Sequence, residues 1–191
     1  VNLAALKKGT MAAKMDQALA TLSESEDKPA VVIVNYESVY RKPLRDLMLQ
    51  IPWDLIVADE IQRIKSPSGV CSGFMARLNG ERKIGLTGTP MPHSPLDVYA
   101  QYRFLDPSIF GRSFTRFKST YAIMGGYKVC GKPVQILGYK NTDDLNRRFH
   151  SIAHTVNKEE VLDLPPVVHQ NRSVDLTRSA RSTYEDLKQD F

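Results

Sequence analysis

Three short β-prone runs, Val31–Val34, Leu55–Ala58 and Lys83–Leu86, constrain this chain more than any other feature, because amphipathic stretches separate them. Runs this short suit strands rather than helices, and strands alternating with helical patterns give a layered α/β sheet. The intervening stretches carry helix signals. Thr10 can cap a helix that sets Met11, Met15, Ala18, Leu19 and Leu22 on one face. Pro43 suits the first turn of a short helix with Leu44, Leu47 and Met48. Val70, Phe74 and Leu78 repeat at helical spacing until Asn79-Gly80 stops them, and Ser94-Pro95 opens a helix reaching about Leu105.

Beyond Tyr121 the texture changes. Gly125-Gly126 and Gly131-Lys132-Pro133 punctuate β-prone residues as far as Tyr139, which predicts one or two inserted hairpins. A helix over Asn141–Phe149 and a strand over Ile152–Val156 should follow, then a Leu164-Pro165-Pro166 connector and an extended stretch over 167–176. Thr177 can cap a last helix containing Ala180, Tyr184 and Leu187.

At 42% hydrophobic and 25% charged residues, the 191-residue chain can bury a core, and its net charge of +5 favours a polyanionic partner. Cys71 and Cys130 form no CxxC pair, and two free thiols suit a reducing, intracellular compartment. His93, His150, His154 and His169 show no metal-ligand spacing. No apolar run approaches the roughly 18 residues a membrane span needs, so no membrane partner is expected.

The chemistry concentrates where the second strand ends. Asp59-Glu60 follow Leu55–Ala58 at once, and in a parallel sheet the carboxyl ends of the strands line the ligand crevice. Of two carboxylates there, one can hold a magnesium ion through water while the other orients or deprotonates an attacking water. The wider run, Trp53-Asp54-Leu55-Ile56-Val57-Ala58-Asp59-Glu60-Ile61-Gln62-Arg63-Ile64-Lys65, is followed downstream by Leu86-Thr87-Gly88-Thr89-Pro90.

These two runs resemble motifs II and III of the Swi/Snf-type branch of the superfamily-two helicases, a DEAH or DEAQ box and a Leu-Thr-Gly-Thr-Pro turn. Asn35-Tyr36-Glu37 is similar to the family's Thr-Tyr-Glu element on the DNA-facing side, and Glu160–Pro165 resembles the connector before its second lobe. The resemblance implies a RecA-like P-loop NTPase three-layer lobe, amino-terminally truncated. Residues 1–164 would be the carboxyl-side part of the first helicase lobe, and 165–191 the connector and start of the second lobe. It also implies ATP and Mg2+ as cofactors and double-stranded DNA as partner, with the second lobe as partner within the polypeptide. Asp59 would position the metal through water, Glu60 act on the hydrolytic water, and Gln62 sense the γ-phosphate while reaching toward Thr87 or Thr89. Thr87, Gly88 and Thr89 would couple hydrolysis to lobe movement. Asn35, Tyr36, Arg41 and Lys65 are candidates for nucleic-acid contact, chiefly to phosphates.

Three departures from the family pattern stand out. Ile61 replaces the small residue usual in the box and threatens to crowd the turn. Ser66 stands where Asn often follows the Lys. Thr155-Val156-Asn157-Lys158 reduces an Arg-Arg-x-Lys element. No GxxxxGK[ST] loop, whose amides and lysine cradle phosphates, precedes Asp59. The near match Gly126–Lys132 is followed by Pro133, which has no hydroxyl for a metal. The chain alone is therefore expected to hydrolyse ATP poorly. The same lobe could serve a restriction-type motor or an RNA helicase, or persist as a non-catalytic nucleic-acid-binding scaffold.

Overall fold

The computed structural model describes residues 1–24, 28–130, 132–156 and 170–189. Two parallel strand pairs form its frame. β1 (Asn2–Leu6) pairs with β2 (Ala30–Val34), and β3 (Trp53–Ala58) pairs with β4 (Gly80–Gly85). Parallel neighbours need crossovers, usually helical, and these are present. α1 (Met11–Ser23) links the first pair, α4 (Val70–Met75) links the second, and α2 (Tyr36–Val39) with α3 (Leu44–Gln50) joins the pairs. The α/β class expected from the alternating runs is the one observed.

α1 is capped as predicted, Thr10 accepting the Ala13 N–H at 3.2 Å, but its buried face differs. Lys14, Ala18 and Thr21 point inward, while Leu19 stays 43% exposed. The inward Lys14 donates to the Ser38 hydroxyl at 2.8 Å, so its charge meets a polar partner. The helices and the inner faces of the strands close on one core containing Leu6, Leu44, Met48, Ile61, Ile64, Phe74 and Phe104.

The opposite face of the strands is exposed. Leu3, Val31, Ile33, Leu55, Val57, Ile84 and Leu86 are 41–62% exposed. Apolar residues on both faces are what a parallel strand carries when helices flank both sides. Among the described residues the helices pack on the other face, against the core.

A second core lies downstream. Ser94 and Asp97 form a capping box at a short 3₁₀ turn, Pro95–Asp97, which runs into α5 (Val98–Leu105). α6 (Pro107–Phe110) and α7 (Phe114–Tyr121), which periodicity did not reveal, are capped by Asp106 and Ser113. Their aromatic residues pack with Tyr99 and Tyr102 of α5. Phe117, for example, lies 5.1 Å from Tyr99 and 4.9 Å from Tyr121, centroid to centroid. α8 (Thr142–Phe149) closes this core through Leu145 and accepts the Tyr121 hydroxyl on Asp144 at 2.7 Å.

Between them stands a single antiparallel hairpin, β5 (Ala122–Val129) and β6 (Lys132–Tyr139), its register broken by two irregularities. The predicted strand over Ile152–Val156 does not form. Those residues are turn and irregular backbone, with Ile152 and Val156 about half exposed. β-propensity alone does not make a strand, because what it measures is packing against cross-strand neighbours. The chain divides into two compact units, Val1–Ala153 and His154–Phe191. The described part of the latter contains α9 (Arg178–Gln189), capped by Thr177, whose hydroxyl accepts the Ala180 N–H at 3.3 Å. The connector and the expected 164/165 boundary fall outside the described residues, as do Asn157-Lys158 and the first part of the extended stretch. Gly131, in the near match to a phosphate loop, also falls outside them.

Candidate functional site

β3 ends at the buried Ala58, and the next two residues turn outward. Glu60 has φ 50° and ψ 51°, a left-handed conformation that costs a non-glycine residue roughly 1–2 kcal/mol. Two backbone bonds hold this turn in place. The Leu86 N–H donates to the Ala58 carbonyl at 2.9 Å, and the Ile61 N–H donates to the Leu86 carbonyl at 3.0 Å. The Asp59-Glu60 turn and the Thr87-Gly88-Thr89 loop therefore leave the same end of the β3–β4 pair. Both carboxylates are exposed there.

Ile61 does not crowd the turn. Its side chain is 2% exposed and sits opposite Gly85, where an added Cβ would come within 2.5 Å of Ile61 Cδ1. The missing side chain on β4 makes room for the large one.

Asp59 Oδ1 accepts the Glu60 N–H at 3.0 Å. The Gln62 amide donates to Glu60 Oε2 at 2.6 Å, so in this structure it reaches the second carboxylate and not Thr87 or Thr89. Gln62 Oε1 is buried without a hydrogen-bond partner. Within the other loop, Thr87 Oγ1 accepts the Thr89 N–H at 3.0 Å. Among the described residues no group of three His, Cys, Asp or Glu side chains could hold a metal ion. Two adjacent exposed carboxylates fit a magnesium ion that keeps most of its waters and takes further oxygens from phosphates.

Tyr36 and Glu37, just past the end of β2, connect to this turn through Arg63. The Tyr36 hydroxyl donates to the Asp59 carbonyl at 2.8 Å. The Arg63 guanidinium lies 5.5 Å from the Tyr36 ring centroid and forms an ion pair with Glu37. Burial, reinforced by Cys71 and Asp59, pushes the Tyr36 hydroxyl up to about 12, so it remains a hydrogen-bond donor at neutral pH. Burial likewise lifts the Cys71 thiol to about 11, which keeps it protonated and unreactive. Arg63 received no role from the sequence, since nothing in a chain announces that residues 37 and 63 will meet. Asn35 precedes α2 at its N-cap position without a capping bond from its side chain. Arg41 is exposed and Lys65 half-buried, neither in an ion pair among the described residues.

This brace predicts a measurable local effect. Glu37 and Arg63 are each about half exposed, so solvent screening leaves the ion pair weak, and the ring contact adds about 0.5–1 kcal/mol. Arg63→Met should speed native-state amide exchange at residues 59–61 by about three- to tenfold, leaving exchange in α5 unchanged. Equal exchange in both proteins would mean that the turn holds itself.

A model of the SNF2-related domain family matches residues 2–190. The chain is similar to the TATA-binding protein-associated factor BTAF1 of Arabidopsis thaliana, 25% identical over 87% of this chain and 8% of that protein. It is also similar to the DNA repair and recombination protein RAD54B of Gallus gallus, 32% identical over 48% of this chain and 10% of that protein. Among solved structures, the Sulfolobus solfataricus SWI2/SNF2 ATPase core in complex with double-stranded DNA matches at TM-score 0.48 and 25% identity. That match covers 63% of this chain and 22% of the other. The chain thus spans about a tenth or less of the length of these two curated relatives.

Proposed function

We propose, for a chain that belongs to the SNF2-related domain family, that it supplies the metal-and-water half of an ATP site in a motor moving along duplex DNA. The observation that carries this reading is the placement of Asp59, Glu60 and Gln62 beside Thr87, Gly88 and Thr89 at one end of the β3–β4 pair, held by the Leu86–Ala58 and Ile61–Leu86 hydrogen bonds.

In this reading Asp59 would hold Mg2+, which would supply charge neutralisation for the phosphates. Glu60 orients the attacking water and takes up its proton. The left-handed backbone at Glu60 sends two successive carboxylates outward, giving each its own task. Gln62, resting on Glu60 with its other amide atom unpaired, is placed to exchange partners as the charge before it changes. Thr87 and Thr89 are the neighbouring hydroxyls that can take part, linking hydrolysis to movement of the lobes. Contact with DNA runs through phosphates, with Asn35 and Tyr36 just past the end of β2, Arg41 after α2 and Lys65 after the turn that follows the carboxylates.

A phosphate-cradling loop is not among these residues, so the test uses the protein that carries this chain together with such a loop. ATP turnover should rise at least tenfold on adding duplex DNA, and the stimulation should fall steeply between low and physiological salt. Stimulation by duplex RNA and not by DNA would replace this reading with that of an RNA motor. No turnover with either would favour a scaffold.

A further inference from the structure

Three arginines surround a hollow at the other end of the second strand pair. Arg77 follows α4, Arg103 lies in the last turn of α5, and Arg112 follows α6 and Gly111. With Gly73, Ala76 and Pro107 they line a cavity of about 310 Å³. Arg77 stands three residues before β4 begins, so the hollow lies at the amino end of that strand, whereas Thr87 follows its carboxyl end. Six residues of strand, roughly 20 Å, lie between.

The composition of the hollow is one-sided: no carboxylate lines it. Among the described residues none of the three guanidinium groups takes part in a salt bridge. The Asp106 carboxylate, nearby in sequence, is occupied in capping α6 through the Ser108 N–H at 2.8 Å. Arg103 is held from one side by Tyr99, its guanidinium carbon 5.9 Å from the ring centroid. Its Nε and Nη2 are buried and form no well-aligned hydrogen bond; the Tyr99 hydroxyl, a buried oxygen equally short of a full partner, interacts with the guanidinium from the same side as the ring. A buried N–H lacking an acceptor costs about 1–3 kcal/mol, more on a charged group, and buried polar groups are normally satisfied.

Helix dipoles favour cations at carboxyl ends, which accounts for Arg77 and Arg103 being where they are. The same preference covers Arg112, two residues past α6 as Arg77 is two past α4, but it does not explain why three such cations share one hollow that no carboxylate lines, nor the two N–H groups of Arg103 that reach no carbonyl. We infer that this hollow binds a phosphate group, with Arg77 and Arg112 closing on it from the solvent side and Arg103 forming its floor. Guanidinium groups match tetrahedral oxyanions because their N–H donors are arranged as a planar fork. The group can belong to a free phosphate compound or to a nucleic-acid backbone. The site stands apart from the Asp59–Glu60 turn and does not depend on the motor reading.

The test is a titration of the isotopically labelled 191-residue chain with pyrophosphate and, separately, with a short DNA duplex, followed by nuclear magnetic resonance. Pyrophosphate is expected to shift the amides of Gly73, Ala76 and Gly111 and the Arg103 Nε–H. Arg77→Gln and Arg112→Gln, both at exposed positions, should each weaken binding about tenfold, the loss of one charge-assisted contact. Lys8→Gln, also exposed, should change nothing. If duplex moves the same resonances and competes with pyrophosphate, the group belongs to a nucleic-acid backbone. If only pyrophosphate moves them, it belongs to a free compound. No shift at these positions with either probe, or binding that both arginine variants leave intact, overturns the inference.

Discussion

Glu60→Gln, made in the protein that pairs these residues with a phosphate-binding loop, is expected to lower ATP turnover by about 10²–10⁴-fold. That is the range lost when a positioned general base is removed. Binding of the nucleotide should survive. The substitution keeps the length and hydrogen-bonding shape of the side chain, and the left-handed turn is fixed by backbone bonds from Leu86 and Ala58 that the change does not touch. Gln62 is the informative companion. Its amide donates to Glu60 Oε2 at 2.6 Å, a bond to a charged acceptor that becomes one between neutral groups in the variant and weakens by about half. Gln62→Ala should cost less in basal turnover than Glu60→Gln and more in the DNA-stimulated fraction, because it removes the group proposed to change partners. Single-turnover ATP hydrolysis with and without duplex, compared across the two variants, reads both. Basal turnover unchanged by Glu60→Gln would remove Glu60 from the chemistry and leave the chain a binding module.

How much of this was legible follows from what sequence patterns record. β2 and β3 are β-branched or aliphatic runs, so their existence and the carboxylates after β3 could be read directly, whereas β4, Gly80-Glu81-Arg82-Lys83-Ile84-Gly85, carries one aliphatic residue and only its last three residues lie in the run read as a strand. β1, Asn2-Leu3-Ala4-Ala5-Leu6, contains no β-branched residue, and it is a strand only because β2 pairs with it residue by residue. Propensity carries no record of that partner. α6 and α7 could have been found from their caps, Asp106-Pro107 and Ser113, though not from periodicity, since one is a single turn. Leu19 shows the reverse failure. It shares an apolar spacing with Met15 and Leu22, yet the helix is rotated so that Lys14 and Thr21 are buried in its place, and the Ser38 hydroxyl makes Lys14 tolerable there. The Tyr36–Arg63–Glu37 brace and the arginine hollow depend on side chains meeting across separate elements, which one sequence does not report.

Gly85→Ala is expected to destabilise the chain by about 1–3 kcal/mol, the usual penalty for adding a methyl group to a filled core. The new Cβ would meet Ile61 Cδ1 at 2.5 Å and Cγ2 at 3.3 Å. Ile61 cannot simply move aside, because it is 2% exposed and its own N–H is tied to the Leu86 carbonyl one residue further along. Ile61→Ala should cost about 2–5 kcal/mol, from lost burial and the cavity left behind. Combining the two is the decisive measurement. In the Ile61→Ala background the methyl on residue 85 enters vacated space and also relieves the roughly 0.5–1 kcal/mol that glycine costs inside a strand. Gly85→Ala should therefore change sign, destabilising with isoleucine opposite and stabilising with alanine. Urea unfolding midpoints of the four proteins supply the cycle, with equal slopes required for the comparison. If Gly85→Ala costs the same in both backgrounds, the two residues are independent, and the fit between strand and carboxylate turn is not what accommodates Ile61. A change of sign would mean that the carboxylate turn tolerates a bulky third residue because β4 offers no side chain beneath it, so that Glu60, one bond away, is positioned from the core outward.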